Sequence, residues 1–256
     1  MNIEHGTDMI DELELLAFVH AIADDLELLA MLHDREPTRE TLVALRDCAL
    51  ENAFGLVLTS REAGAALDVM RTVIARLPGD IGQATVDEFA VGYTDVYLRY
   101  AYRASPMESV WLTEDGLERQ APMFALRTLY RQFGLKSIDG ARRPEDHIVL
   151  QLLCAAHLAK RCATLEDFLT LAHFLDEHLL RWVRRFAGQL VGAGAPDFYA
   201  ALALVTATYL DELRGHLTII TGHERPTLPV SSKNTGERVA ITVEGRPYVP
   251  GVAPSW

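Results

Sequence analysis

The sequence contains little cysteine and no long uninterrupted apolar run. Its 256 residues include three cysteines and no CxxC pair, which argues against a disulfide framework and favours a reducing compartment. Charged residues interrupt every apolar run well before the roughly 20 residues that a membrane-spanning helix requires. The first residues are acidic, whereas a secretory signal peptide begins with basic residues. These absences predict a cytoplasmic protein without stable membrane insertion.

Basic residues are also scarce, and the first 34 positions have none. The chain has 24 lysines and arginines against 36 acidic residues, and this formal charge of −12 argues against binding to nucleic acid or to anionic membranes. Residues 1–34 carry nine acids and no lysine or arginine. This segment is either the solvated face of a helix or an acidic surface that attracts a basic partner, and charge alone does not decide between the two.

Apolar residues recur at helical spacing up to about residue 222, and this pattern predicts an all-α fold. Capping residues, glycines and prolines suggest where the helices begin and end. The predicted helices cover residues 8–29, 37–52, 59–77, 85–102, 121–133, 147–161 and 196–215, and one more begins at 164. In this prediction Asp8 caps the first helix, capping boxes at 59–62, 85–88 and 164–167 begin three others, and Pro144 precedes the helix at 147–161.

Proline and glycine suggest how the chain is divided. An Asp139-Gly140 turn lies between two helical blocks, so we expect an N-terminal helical part at 1–136, a hinge at 137–146 and a C-terminal helical part at 147–222. Residues 223–256 contain five of the eleven prolines, which excludes a continuing helix. We expect this segment to be an extended or partly disordered tail.

Catalytic motifs are missing. The sequence has no glycine-rich loop for a nucleoside triphosphate and no nucleophile elbow. The segment from His173 to His178 resembles an inverted zincin motif but is one residue too long, and Cys154 is typical of a small core residue. We therefore expect a non-enzymatic protein that folds without metal or cofactor. The alternative is an all-helical metal-binding enzyme that uses Cys154, His157, His173 and His178.

Several segments resemble one protein family. They are GYTDVY at 92–97, ASPMESVWLTEDG at 104–116, ALRTLYRQFGL at 125–135, RPEDHI at 143–148, FLDEHLLRWV at 174–183 and FYAAL at 198–202. Together they are similar to the TorD/DmsD family of cytoplasmic molybdoenzyme maturation chaperones, over about 85–222. This chain has Arg143 where the family usually has an acid, and Gly92 where it often has aspartate.

This resemblance implies a chaperone of compact helical fold, with roughly ten helices, a central hinge and an extended proline-rich C-terminal tail. Its expected partner is the precursor of a molybdopterin oxidoreductase, recognised through its twin-arginine signal peptide. Binding to the peptide and to the apo form of the enzyme would aid insertion of the molybdenum cofactor and delay export. The resemblance also implies a monomer or a homodimer that exchanges its halves across the hinge.

A signal peptide of this kind has a basic start and an apolar stretch, so its receptor needs an apolar groove and nearby carboxylates. We expect Asp146 to pair with the arginines of the peptide at the mouth of the groove. The structural alternatives are core packing for Tyr93 and Tyr97, a favourable helix-terminal charge for Asp146 and a hydrogen-bonded hinge residue for His147. The predicted binding residues are Tyr93, Val96, Tyr97, Pro106, Met107, Ser109, Trp111, Pro144, Asp146 and His147.

Overall fold

The protein, described by a computed structural model over residues 4–48, 50–137 and 143–226, is all-α, as the sequence predicts. Within these residues the structure contains ten α-helices, a 3₁₀ turn at Leu50–Asn52 and a π-helical turn at Thr94–Leu98. The helices are α1 (Glu4–Asp34), α2 (Arg39–Asp47), α3 (Arg61–Ala75), α4 (Gln83–Tyr93), α5 (Glu108–Leu112), α6 (Ala121–Gln132), α7 (Ile148–Lys160), α8 (Leu165–Glu177), α9 (Leu179–Gly192) and α10 (Asp197–Thr221).

Helix α10 forms the centre of the fold. It packs against α3, α8 and α9, and apolar residues on all its faces are buried, which is typical of a helix enclosed by others. Helix α1 lies along α7, and its Ile22, Leu26 and Leu29 are fully buried in the same core. Residues up to Arg225 form one compact unit. No helix in the described ranges is long and apolar enough to cross a membrane.

Several predicted boundaries are wrong. Asp8 lies inside α1, which begins at Glu4, and α2 ends at Asp47 rather than Asn52. Helix α4 begins after Gly82 and passes into the π-helical turn instead of continuing to Tyr102. Pro144 precedes α7 by four positions and is not in its first turn. At its end, α10 continues past Gly215 to Thr221, where Gly222 stops it in a left-handed conformation.

The capping boxes were predicted with mixed success. The box at Thr164 and Asp167 is complete, with each side chain bonded to the backbone of the other residue. At the start of α3 the cap is Ser60, and the carboxylate of Glu212 on α10 accepts the backbone N–H groups of Thr59 and Ser60 at 2.7 and 2.9 Å. A distant side chain therefore replaces the local partner that the sequence suggested.

The division at residues 137–146 stays a prediction, because 138–142 lie outside the described residues. The tail predicted at 223–256 is described only through residue 226, so its expected extended conformation also lies outside the described residues.

Candidate functional site

Two of the segments that resemble the chaperone family lie side by side. The backbone N–H of Glu108 donates to the carbonyl of Asp146 at 3.0 Å, and that of Ile148 donates to the carbonyl of Pro106 at 2.9 Å. Between these bonds, Met107 and His147 form an isolated antiparallel bridge. These contacts hold the segment that precedes α5 against the segment that precedes α7.

A cleft of about 700 Å³ opens beside this junction. Five of the predicted binding residues line it: Tyr93, Tyr97, Met107, Pro144 and His147. The sequence analysis missed the other lining residues, which are Leu98, Tyr100, Lys136, Ser137, Arg143, Leu150 and Leu153. Helical spacing alone could have indicated Leu150 and Leu153, which lie near the start of α7, but not the face on which the cleft opens.

Irregular backbone forms one wall of the cleft. The π-helical turn at Thr94–Leu98 carries Tyr97 and Leu98, and it is followed by Tyr100 in a left-handed conformation with φ of 50°. Single π-helical turns and strained non-glycine residues are frequent at functional sites, because folding alone does not favour them. This local geometry supports the cleft as the functional region.

Gly92 is explained by the packing of this wall. A Cβ atom at position 92 would lie 2.9 Å from a ring carbon of Tyr199 on α10 and 3.3 Å from Pro196. Real Cβ contacts are not that short, so the aspartate that the family often has here would not fit. The glycine allows the wall to pack closely on α10.

Tyrosines form the floor. The rings of Tyr93 and Tyr97 stack with centroids 4.9 Å apart, and both side chains are buried. The Tyr97 hydroxyl is hydrogen-bonded to Nδ1 of His33 at 2.5 Å, and Nε2 of His33 is bonded to the Thr206 hydroxyl at 2.9 Å. Burial raises the pKa of Tyr97 well above its usual value and lowers the pKa of His33 to about 3. Tyr97 therefore supports the cleft from below as a core residue.

The sequence predicts Asp146 at the mouth of the cleft, but the structure does not place it there. It is fully buried, and its Oδ2 accepts the backbone N–H of Ser109 at 2.9 Å, so it caps the start of α5. Burial raises the pKa of this carboxyl, although hydrogen bonds from Ser109 act in the opposite direction. The position is set by the helix terminus, whose N–H groups need an acceptor. Contact of Asp146 with a peptide stays a prediction.

His147 also has a structural role. Its Nδ1 accepts the backbone N–H of Val149 at 3.2 Å and so caps α7. Burial, with a smaller effect of nearby Arg143, lowers the pKa of His147 to about 3, and the ring is therefore neutral at ordinary pH. It lines the cleft as an uncharged surface.

The remaining predicted residues do not line the cleft. Val96, Pro106 and Ser109 are buried. Trp111 lies in α5 rather than in a loop, and it is half-buried, with its indole N–H donating to the carbonyl of Ser105 at 2.8 Å. The guanidinium of Arg185 covers its ring at 5.9 Å. This contact differs from the open aromatic surface that a loop position suggested.

Two arginines beside the cleft form ion pairs. Arg143 pairs with the carboxylate of Asp34 and also donates to the backbone carbonyl of Asp34 at 3.0 Å. In an adjoining cavity of about 280 Å³, Arg127 binds Glu145 through two hydrogen bonds of 2.7 and 3.1 Å. The sequence indicates Asp34 only as one of the nine acids in residues 1–34 and does not identify it as the partner of Arg143.

The four residues of the alternative metal-binding hypothesis do not share a site. Cys154 is buried in the core, and burial raises the pKa of its thiol to about 12. His178 pairs with the buried Glu108 at 3.1 Å, and His173 contacts His223 at 3.4 Å. Within the described residues, no three His, Cys, Asp or Glu side chains are placed to hold a metal ion.

Comparison with known proteins agrees with the resemblance seen in the sequence. The sequence model of the family described as "Nitrate reductase delta subunit" matches residues 59–188. Similar proteins include the probable Tat proofreading chaperone DmsD of Haemophilus influenzae, 36% identical over 44% of this chain and 54% of its own length. The chaperone protein TorD of Vibrio cholerae is 29% identical over 49% of this chain and 60% of its own length.

TorD of Shewanella loihica is 25% identical over a longer stretch, 69% of this chain and 83% of its own length. The chain spans little more than half the length of the Haemophilus influenzae and Vibrio cholerae relatives. The matched range contains both segments that meet beside the cleft, and the family model covers residues on either side of 137–146. The chain belongs to the TorD/DmsD family of chaperones.

Proposed function

We propose that this protein is a cytoplasmic, non-enzymatic chaperone that binds the twin-arginine signal peptide and the apo form of a molybdenum-cofactor oxidoreductase. Such binding would aid cofactor insertion and delay export until the enzyme is complete. Membership of the TorD/DmsD family supports the chaperone role. The observation that carries the peptide-binding role is the cleft, since residues from the two family segments line it together.

The cleft suits the apolar part of a signal peptide. Leu98 is 61% exposed and Leu153 is 43% exposed, with Leu150 half-buried between the rim and the core. Large apolar side chains clustered at an opening commonly mark a surface that another chain covers. A helical or extended apolar segment could lie on these leucines above the tyrosine floor.

Exposed rim residues provide a test that does not disturb the core. We expect Leu98→Asp and Leu153→Asp each to weaken peptide binding about three- to twelvefold, because full burial of a leucine contributes about 1.5–3 kcal/mol and about half of each side chain is left to cover. Val57, which is 74% exposed and does not line the cleft, provides the matched control Val57→Asp. Affinities would be measured by fluorescence anisotropy with synthetic leader peptides from every molybdopterin oxidoreductase of the host genome.

Two results would contradict this proposal. The first is that no leader peptide binds the wild-type chain more tightly than a peptide of scrambled sequence. The second is that the two rim variants bind a leader peptide as the Val57→Asp control does. Circular dichroism of each variant would establish that the helical fold is kept.

The proposed chaperone is a monomer or a dimer that exchanges its halves at 137–146. A chaperone leaves its client before export, whereas a structural subunit stays in the mature enzyme. Light scattering over a range of concentrations would determine the oligomeric state. Co-purification with the precursor, but not with the exported enzyme, is expected for a chaperone.

A further inference from the structure

The C-terminal end of α1 has the features of a cation site. The helix ends at Asp34, so the carbonyl of this residue has no acceptor role inside the helix, and the helix dipole places partial negative charge there. The carboxylate of the same residue adds a full negative charge, 20% exposed. Tyr93, which lines the cleft, donates its hydroxyl to the Asp34 carbonyl at 2.6 Å and connects this terminus to the cleft.

Arg143 occupies this site. Its guanidinium binds the carboxylate through one nitrogen and the backbone carbonyl of Asp34 through another, and its side chain is 29% exposed. Burial would raise the pKa of Asp34, but hydrogen bonds from Arg35 and Arg143 outweigh it and the pKa is lowered. Only a planar guanidinium offers two donors in this fixed arrangement, since the ammonium of lysine is a single point charge.

We propose that Asp34 is the subsite for one arginine of the signal peptide, and that Arg143 fills it as an internal substitute until the peptide binds. This inference rests on the proposed function. It follows from chemistry that the two arginines would share: the same carboxylate, the same carbonyl and the same helix terminus. Because Arg143 itself lines the cleft, a peptide in the cleft reaches Asp34 by displacing it.

The exchange has a predictable effect on affinity. The peptide gains an ion pair with Asp34, but the protein loses an equivalent pair with Arg143, so the net gain is small. Removing Arg143 ends its competition for Oδ1 and the backbone carbonyl of Asp34, while Arg35 keeps its own pair with Oδ2. We therefore expect Arg143→Gln to tighten binding of a twin-arginine peptide about five- to tenfold, the difference that a charge-assisted hydrogen bond makes.

A matched control separates this exchange from a general effect of charge. Arg131 is exposed, lines the adjoining cavity and forms no ion pair within the described part of the chain. Arg131→Gln changes the net charge by the same amount and should alter affinity by less than about twofold. Arg143→Lys keeps the charge but cannot bind the carboxylate and the backbone carbonyl of Asp34 at the same time, so this variant should also bind the peptide more tightly.

Asp34→Asn should weaken binding, and Arg143→Gln should give no gain when it is combined with Asp34→Asn. A peptide with two lysines in place of the arginines should show little response to Arg143→Gln. The proposal is overturned if Arg143→Gln and Arg143→Lys bind the peptide no more tightly than Arg131→Gln. It is also overturned if Arg143→Gln keeps its gain in the Asp34→Asn background.

The proposed function and the Asp34 subsite are contradicted by different results. If wild-type protein binds no twin-arginine peptide, the proposed function fails. If wild-type protein binds the peptide and the Leu98→Asp variant does not, but the Arg143 variants behave as the control does, the cleft is the binding site and only the Asp34 subsite is wrong.

Discussion

Replacing Tyr97 by phenylalanine separates the structural role of this residue from a binding role. The substitution removes one hydroxyl, which lies 2.5 Å from Nδ1 of the buried His33. The other ring nitrogen of His33 is bonded to Thr206, so the imidazole cannot turn to a new partner without losing that bond. Because the site is buried, one polar nitrogen is left unsatisfied, at a cost of about 1–3 kcal/mol in the free energy of unfolding.

For a chain of this size, 1 kcal/mol lowers the melting temperature by about 2–4 °C, so Tyr97→Phe should melt about 2–12 °C below wild type. The measurement is thermal and urea unfolding followed by circular dichroism. The control is Tyr102→Phe, because the half-buried Tyr102 hydroxyl has no partner among the described residues. Peptide affinity should not change, since the Tyr97 hydroxyl faces His33. An unchanged melting temperature, or weaker peptide binding at unchanged stability, would refute this account.

Two further predictions concern buried charge. Burial lowers the pKa values of His33 and His147 to about 3 in the folded chain. The unfolded chain therefore binds more protons below pH 6.5, and the free energy of unfolding decreases as the pH is lowered. Each should cost about 1.4 kcal/mol at pH 5.5, measurable as a lower urea midpoint, and a midpoint independent of pH between 5.5 and 7.5 would contradict this. Asp176→Ala leaves the buried Arg214 without its partner and should cost about 3–5 kcal/mol, whereas Asp197→Ala in an exposed pair should cost less than about 1 kcal/mol.

The helices could be predicted from the sequence wherever the signal is local. The capping box at Thr164 depends on residues three positions apart, and it is present as predicted. Ser60 caps α3 locally, but the N–H groups of Thr59 and Ser60 are bound by Glu212, about 150 positions away, and Gly92 in α4 packs closely against the distant Tyr199. Such tertiary contacts outweigh local propensity, and one sequence does not reveal them.

The site was predicted in part for the same reason. Family resemblance identified the segments that carry Tyr97, His147 and Asp146, but the depth of each side chain follows from the packing of distant helices. Asp34 was counted among nine acids of the first segment, and nothing local distinguishes it from the others. Its importance comes from the end of α1 meeting Arg143, which is 109 positions away in sequence.

The Asp146→Asn variant tests whether the burial of Asp146 or its place in a family segment predicts its role in peptide binding. The sequence analysis gave Asp146 the role of pairing with a peptide arginine, and on that view the variant should bind the peptide several-fold more weakly at low salt. In the structure the carboxylate is enclosed and caps α5, so we expect peptide affinity to remain within about twofold of wild type.

Stability, and not peptide affinity, should respond to this substitution. Burial raises the pKa of Asp146 in the folded chain above its unfolded value, so the folded chain holds the proton longer, and wild-type stability falls as pH rises through the raised pKa. Asparagine has no such titration. The urea midpoint of Asp146→Asn should therefore rise relative to wild type as the pH increases above about 4. A large loss of peptide affinity with no pH-dependent difference in stability would refute this account and show that Asp146 contributes to peptide binding.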